Sequence, residues 1–119
     1  MDALGQVRAL CLALPEVAES TSHTRPVWQV AGKTFAYFLD DHHGDGRLAV
    51  WVKSTREAQA EAVEAEPERF FVPPYLGPRG WLGLQLDVDP DGDELAGLLR
   101  EGWRLQAPKR LQAPKRLQT

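Results

Sequence analysis

Between Glu16 and Lys53, apolar residues recur at every second position, interrupted only by short polar links. A period of two is the signature of a half-buried strand. Pro26 to Ala31 reads as one strand, Thr34 to Leu39 as its return and Arg47 to Lys53 as the next, with 17–20 as a short strand ahead of them. Gly32-Lys33 carries a tight-turn signal and DDHHGDG at 40–46 a longer polar turn. Strands this close in sequence pair as an antiparallel meander, so the chain is committed to a sheet with one apolar face to cover.

The remaining segments supply the cover. Leu4, Val7, Leu10, Cys11 and Leu14 follow helical spacing behind a capping Asp2, and Pro15 ends that helix. A second helix starts at Ser54, with Glu57 in the capping-box position. Its apolar face, Ala58, Ala62 and Val63, is thin and suits a rim position. Residues 67–80 are rich in proline and glycine, and Trp81 to Asp87 alternates again, with Leu82, Leu84 and Leu86 on one side. Asp91 and Glu94 open a last helix whose buried stripe is Leu95, Leu98, Leu99 and Trp103. The fold class expected is α+β: a two-layer sandwich with an antiparallel sheet and helices on one face.

At 119 residues, 43% of them hydrophobic, the chain matches one soluble domain. No apolar run reaches the roughly 18 residues of a membrane span. No signal peptide is visible, and the single cysteine, on a helix stripe, reads as a buried, inert thiol. A cytoplasmic monomer without cofactor is the expectation. The net charge of −3 is unevenly divided: 10 basic and 17 acidic residues precede position 109, a charge of −7, and Lys109, Arg110, Lys115 and Arg116 follow. The tail repeats LQAPKR at 105–110 and 111–116. Residues 1–108 are therefore read as the domain, and 109–119 as a basic, frayed extension or a basic arm for nucleic acid.

No catalytic motif is present, and a non-enzymatic role is expected. The chain lacks a glycine-rich phosphate loop, and His42 and His43, in a polar turn, read as solvated rather than as metal ligands. His23 is a lone loop histidine. Two features point to binding. Alternation leaves Phe38, Trp51, Trp81 and Lys53 among small residues on the face away from the core leucines. That arrangement is either an exposed aromatic platform for a protein or small ligand, or a minor core under a helix or the 67–80 loop. PPYLGPRGW at 73–81 is either a rigid turn or a stiff wing presenting Tyr75 and Arg79.

The segments VRALCLALPEVAES, RPVWQVAGKTFAYF, LAVWVK, PYLGPRGW and GWRLQAPK, in this order over about residues 3–109, resemble the MmcQ/YjbR family. The resemblance implies a compact α+β fold related to the frataxin-like and secretion-chaperone-like sandwiches. It also implies predicted DNA binding through a double-wing motif, and it does not imply an enzymatic activity. The positions matching the family's recurring residues are Pro26, Gly32, Lys33 and Phe35, then Lys53, Tyr75, Gly77, Arg79, Gly80 and Trp81, and finally Arg104. Ser22, His23 and Thr24 stand where family members commonly carry an aromatic-Gly pair. Lys33, Lys53, Tyr75, Arg79, Lys109 and Arg110 are the candidate nucleic-acid contacts. Binding by so few cations on an acidic body would be weak and salt-sensitive.

Overall fold

The computed structural model describes residues 2–41, 44, 46–87 and 90–112. His42 and His43, and the tail beyond position 112, lie outside the described residues. Six strands form one sheet: β1 (Val17–Ser22), β2 (Arg25–Val30), β3 (Lys33–Asp40), β4 (Leu48–Val52), β5 (Phe70–Phe71) and β6 (Leu82–Gln85). Their order is β1-β2-β3-β4-β6-β5, and every neighbouring pair is antiparallel. Helices α1 (Ala3–Leu12), α2 (Arg56–Ala65) and α3 (Gly92–Gln106) complete the α+β sandwich.

Local chemistry explains where the helices begin. Asp2 accepts a hydrogen bond from the Gly5 amide, and Asp91 accepts one from the Glu94 amide. For α2 the cap is Thr55, whose hydroxyl accepts from the Ala58 amide. The expected Ser54–Glu57 capping box is not formed, because Ser54 is buried where the chain leaves β4 and the first turn starts one residue later. No residue of α2 is fully buried, consistent with its thin apolar face.

The main core lies between the sheet and the helices. Val7 and Cys11 of α1, and Leu95, Leu99 and Trp103 of α3, pack on Trp28, Val50, Val52, Leu82, Leu84 and Leu86. Burial pushes the Cys11 thiol well above the ordinary thiol range, which keeps it protonated and inert. The Trp103 indole donates to the Pro15 carbonyl at 3.0 Å and joins α3 to the end of α1. The Trp28 indole donates to Glu19, which also accepts from Arg8.

Phe38 belongs to this core, which corrects its assignment to the opposite face. The pairing of β2 with β3 shifts register between Trp28 and Gln29, leaving Phe35 unopposed as a bulge. Phe35 and Ala36 both join the helix-side core, and the alternation resumes one residue out of step. Phe38 then pairs with Val50, and directly paired residues share a face.

Both two-residue hairpin turns use residues in the left-handed region. Ala31 and Gly32 (φ 51° and 79°) link β2 to β3, one position earlier than Gly32-Lys33. His23 and Thr24 (φ 51° and 68°) link β1 to β2. Positive φ at both central residues is the type I′ hairpin geometry, which matches the twist of the strands. His23 and Thr24 adopt it without a glycine, at a strain of about 1–3 kcal/mol per residue.

The start of the tail is docked, contrary to a frayed segment beginning at 109. Lys109–Leu111 forms a 3-10 turn, and Leu111 packs against the core. Arg110 makes two hydrogen bonds of 3.1 Å to the Glu16 carboxylate. Ordered structure therefore continues to position 112.

Candidate functional site

The second face of the sheet carries a smaller core. Leu39, Ala49, Trp51, Phe71 and Trp81 are buried there, with Tyr37 and Leu76 against them. The segment 72–81 folds back over this half of the sheet and is anchored from beneath. Gln59 donates to the Gly77 and Trp81 carbonyls at 2.9 and 2.6 Å. Lys53 Nζ donates to the Arg79 carbonyl at 2.9 Å. Gly80 has φ 87°, and a Cβ there would lie 3.0 Å from the backbone of Ser54, Thr55 and Arg56. Glycine is thus required by conformation and by space. Gly77 is required by space alone, since its Cβ would overlap Val72.

These anchors decide between the two readings of the aromatic face. Trp51 and Trp81 are each only 5% exposed and Leu76 packs against them, so they form a minor core and not an open platform. Their rings meet Tyr37 at 6.2 and 5.4 Å, tilted by 62° and 54°. What remains open is a cleft of about 230 Å³ at the margin of this cover. Ser22, His23 and Arg25 form one wall, Pro74, Tyr75 and Leu76 the other, and Tyr37, Leu39 and Trp51 the floor. Tyr75 stands at its edge, 79% exposed and with φ 67°. Sequence alternation missed the cleft because its walls come from a turn without glycine and from the proline-rich segment.

The candidate phosphate contacts lie elsewhere. The register places Lys33, the C-terminal end of β4 and the start of β6 at one end of the sheet. Lys53 and Arg79 are therefore at the same end as Lys33. The start of β1 is there too, and through Glu16 it holds Arg110 beside Lys109. The C-terminus of α3 arrives at this end, where Gln106 donates to the Thr34 carbonyl. Arg56, at the start of α2 beside Gly80, was not anticipated and belongs to the same group. Tyr75 is the exception: it lies across the sheet, beside the β1–β2 hairpin.

Charge is polarised along the strands. Lys33, Arg56, Arg79 and Lys109 are exposed, and none makes an ion pair or side-chain hydrogen bond with the described residues. Glu16 and Glu101 at this end are held by Arg110 and Arg104, which lower both carboxyl pKa values, chiefly through hydrogen bonds. Glu57, in the first turn of α2, adds one exposed carboxylate. The opposite end collects Asp40 at the end of β3, Asp41 just after it, Asp87 after β6, and Asp91, Asp93 and Glu94 at the start of α3. A modestly acidic chain thus presents one cationic end.

Catalytic geometry is weak. Ser22 Oγ lies 3.3 Å from His23 Nδ1, but no carboxylate among the described residues orients that ring. A nucleophile–base pair is ordinarily completed by such a group.

The comparisons agree with this architecture. The crystal structure of Deinococcus radiodurans protein DR2400, a DUF419 domain, superposes with a TM-score of 0.73. At 23% identity it covers 88% of this chain and 78% of its own, and it supports the fold alone. No curated protein matches the chain. The family model named YjbR matches residues 12–105, a span running from the last turn of α1 to the end of α3 and taking in the whole sheet. The chain belongs to the YjbR family.

Proposed function

We propose that the protein is a non-enzymatic nucleic-acid-binding module that meets the phosphate backbone with the cationic end of its sheet. The observation that carries this reading is the segregation of Lys33, Arg56, Arg79 and Lys109, none engaged by a carboxylate, at one end of an acidic molecule. Lys53 joins them, since its ammonium uses one of three donors on the Arg79 carbonyl. The two loops that frame this end are the β2–β3 turn and residues 77–80. Residues 77–80 are tied to α2 through Gln59, which limits the backbone ordering needed on binding.

Five contacts limit the affinity. Each neutralised phosphate on duplex DNA contributes about 0.9 to the slope of log affinity against log salt, so five give about 4.5. Binding then falls about 500-fold between 50 and 200 mM salt. Lys115 and Arg116 of the tail can add up to two contacts. Phosphate contacts position without reading bases, so little sequence preference is expected. The test is a fluorescence-anisotropy titration of the full chain with unrelated duplexes over a salt series. A slope near 4–6 that is shared by all sequences supports the reading. No binding at high micromolar protein in about 20 mM salt, where the Debye length is near 20 Å, ends it.

A further inference from the structure

The cleft beside Tyr75 lies at the opposite end of the sheet from the proposed phosphate contacts and does not depend on them. Three observations define what it would take. First, Arg25 is half-buried in its wall, yet its guanidinium makes no ion pair or hydrogen bond with the described residues. Arg8, Arg69, Arg104 and Arg110 all have carboxylate partners and Arg56, Arg79 and Arg100 are exposed, so a half-buried arginine with an open guanidinium is set apart among the described residues. Second, no carboxylate among the described residues lines the cleft, although this end of the molecule is rich in acids. Third, apart from Ser22 and His23 beside Arg25, the other lining groups are flat or apolar: Tyr37, Trp51 and Leu39 below, Pro74, Tyr75 and Leu76 at the side. The Tyr37 hydroxyl is also without a partner among the described residues.

We infer that this cleft is a binding site for a small aromatic carboxylate. The planar guanidinium of Arg25 matches a carboxylate with two parallel hydrogen bonds. The ring of the ligand would lie between the Tyr37–Trp51 floor and Tyr75. The volume of about 230 Å³ is below that of sites for larger ligands, about 300–1,000 Å³, which restricts the occupant to one or two rings. His23, Thr24 and Tyr75 hold the two walls in left-handed backbone conformations. Such strain gathers at ligand clamps, where it fixes the side chains before the ligand arrives.

The test uses the full chain, with phenylacetate as probe and phenylacetamide as its uncharged counterpart. Binding is followed through the amide resonances of His23, Arg25 and Tyr75 and the indole N–H of Trp51. Phenylacetate is expected to shift these resonances and to bind at least about tenfold more tightly than the amide, the usual advantage of a charge-assisted pair. Arg25→Gln should bring phenylacetate down to the level of the amide, and Arg25→Lys should restore part of the difference. Circular dichroism of both variants checks that the fold is kept. The inference is overturned if phenylacetate binds no more tightly than phenylacetamide. It is equally overturned if the shifts fall outside the cleft, or if about 10 mM phenylacetate shifts nothing.

Discussion

Gly83 offers a quantitative check on how the 72–81 segment and β5 close over the sheet. It sits in β6 between Trp51 of β4 and Phe71 of β5, facing the smaller core. A Cβ at this position would lie 2.4 Å from two atoms of the Phe71 ring and 2.7 Å from a third. The ring has little room to retreat, because the Arg47 guanidinium lies 4.0 Å above its centroid. Two opposing effects then set the outcome of Gly83→Ala. Relief of glycine's backbone entropy in a strand favours the variant by about 0.5–1 kcal/mol. Overpacking a filled core costs about 1–3 kcal/mol. The overlap is with a ring held on both sides, so the second effect should win by about 1–2 kcal/mol. For a chain of this length that is a fall of about 4–8 °C in Tm. Phe71→Val removes the ring and should reverse the sign: in that background Gly83→Ala becomes neutral or stabilising. Urea midpoints of the four proteins form the cycle. If Gly83→Ala is as stable as the parent, or costs the same in both backgrounds, the packing described here is wrong.

Other consequences follow from single contacts. Asp91→Ala removes the cap of α3 and should cost about 1 kcal/mol in urea unfolding. The Glu19 carboxyl is held below the ordinary glutamate range, chiefly by hydrogen bonds from Arg8 and further by Trp28. Its stabilising contribution is therefore complete above the ordinary glutamate range and is lost as pH falls through the depressed value. Glu19→Gln should flatten the acid limb of a stability–pH curve, and an unchanged limb would contradict this. Cys11 should react with a thiol reagent at the global unfolding rate or slower, because burial keeps the thiol protonated and inaccessible. Arg79→Ala should weaken binding by a similar factor for unrelated DNA duplexes, and a factor that differs between sequences would show base contacts instead.

What the sequence revealed depended on whether a signal was local. The leucines at 82, 84 and 86, the stripe of α3 and its Asp91 cap are periodic or adjacent, and all three took the expected positions. The face of β3 was not readable, because the bulge at Phe35 arises from pairing with β2 and leaves no mark in the order of residues. β5 was hidden for a related reason: two residues cannot show a period, and Phe70-Phe71 becomes a strand only by pairing with β6. The cationic residues could be named one by one, but their convergence is a property of the register. The roles of Lys53 and Arg110 as structural ties required knowing which carbonyl and which carboxylate they meet across 26 and 94 positions. Arg25 was legible as a residue and illegible as a site. Among the described residues its guanidinium has no partner, and that is visible only in the folded arrangement.

A chemical-shift map locates the proposed phosphate contacts residue by residue. A short duplex is titrated into isotopically labelled full-length protein at about 20 mM salt, and amide and arginine side-chain resonances are followed. Shifts should concentrate at Lys33, at 53–56, at Arg79-Gly80 and at Lys109, and fade together as salt is raised. The resonances of Asp40, Asp87 and Asp91 at the acidic end should stay in place. Shifts centred on the acidic end, or a uniform absence of shifts with DNA in excess, would contradict this placement.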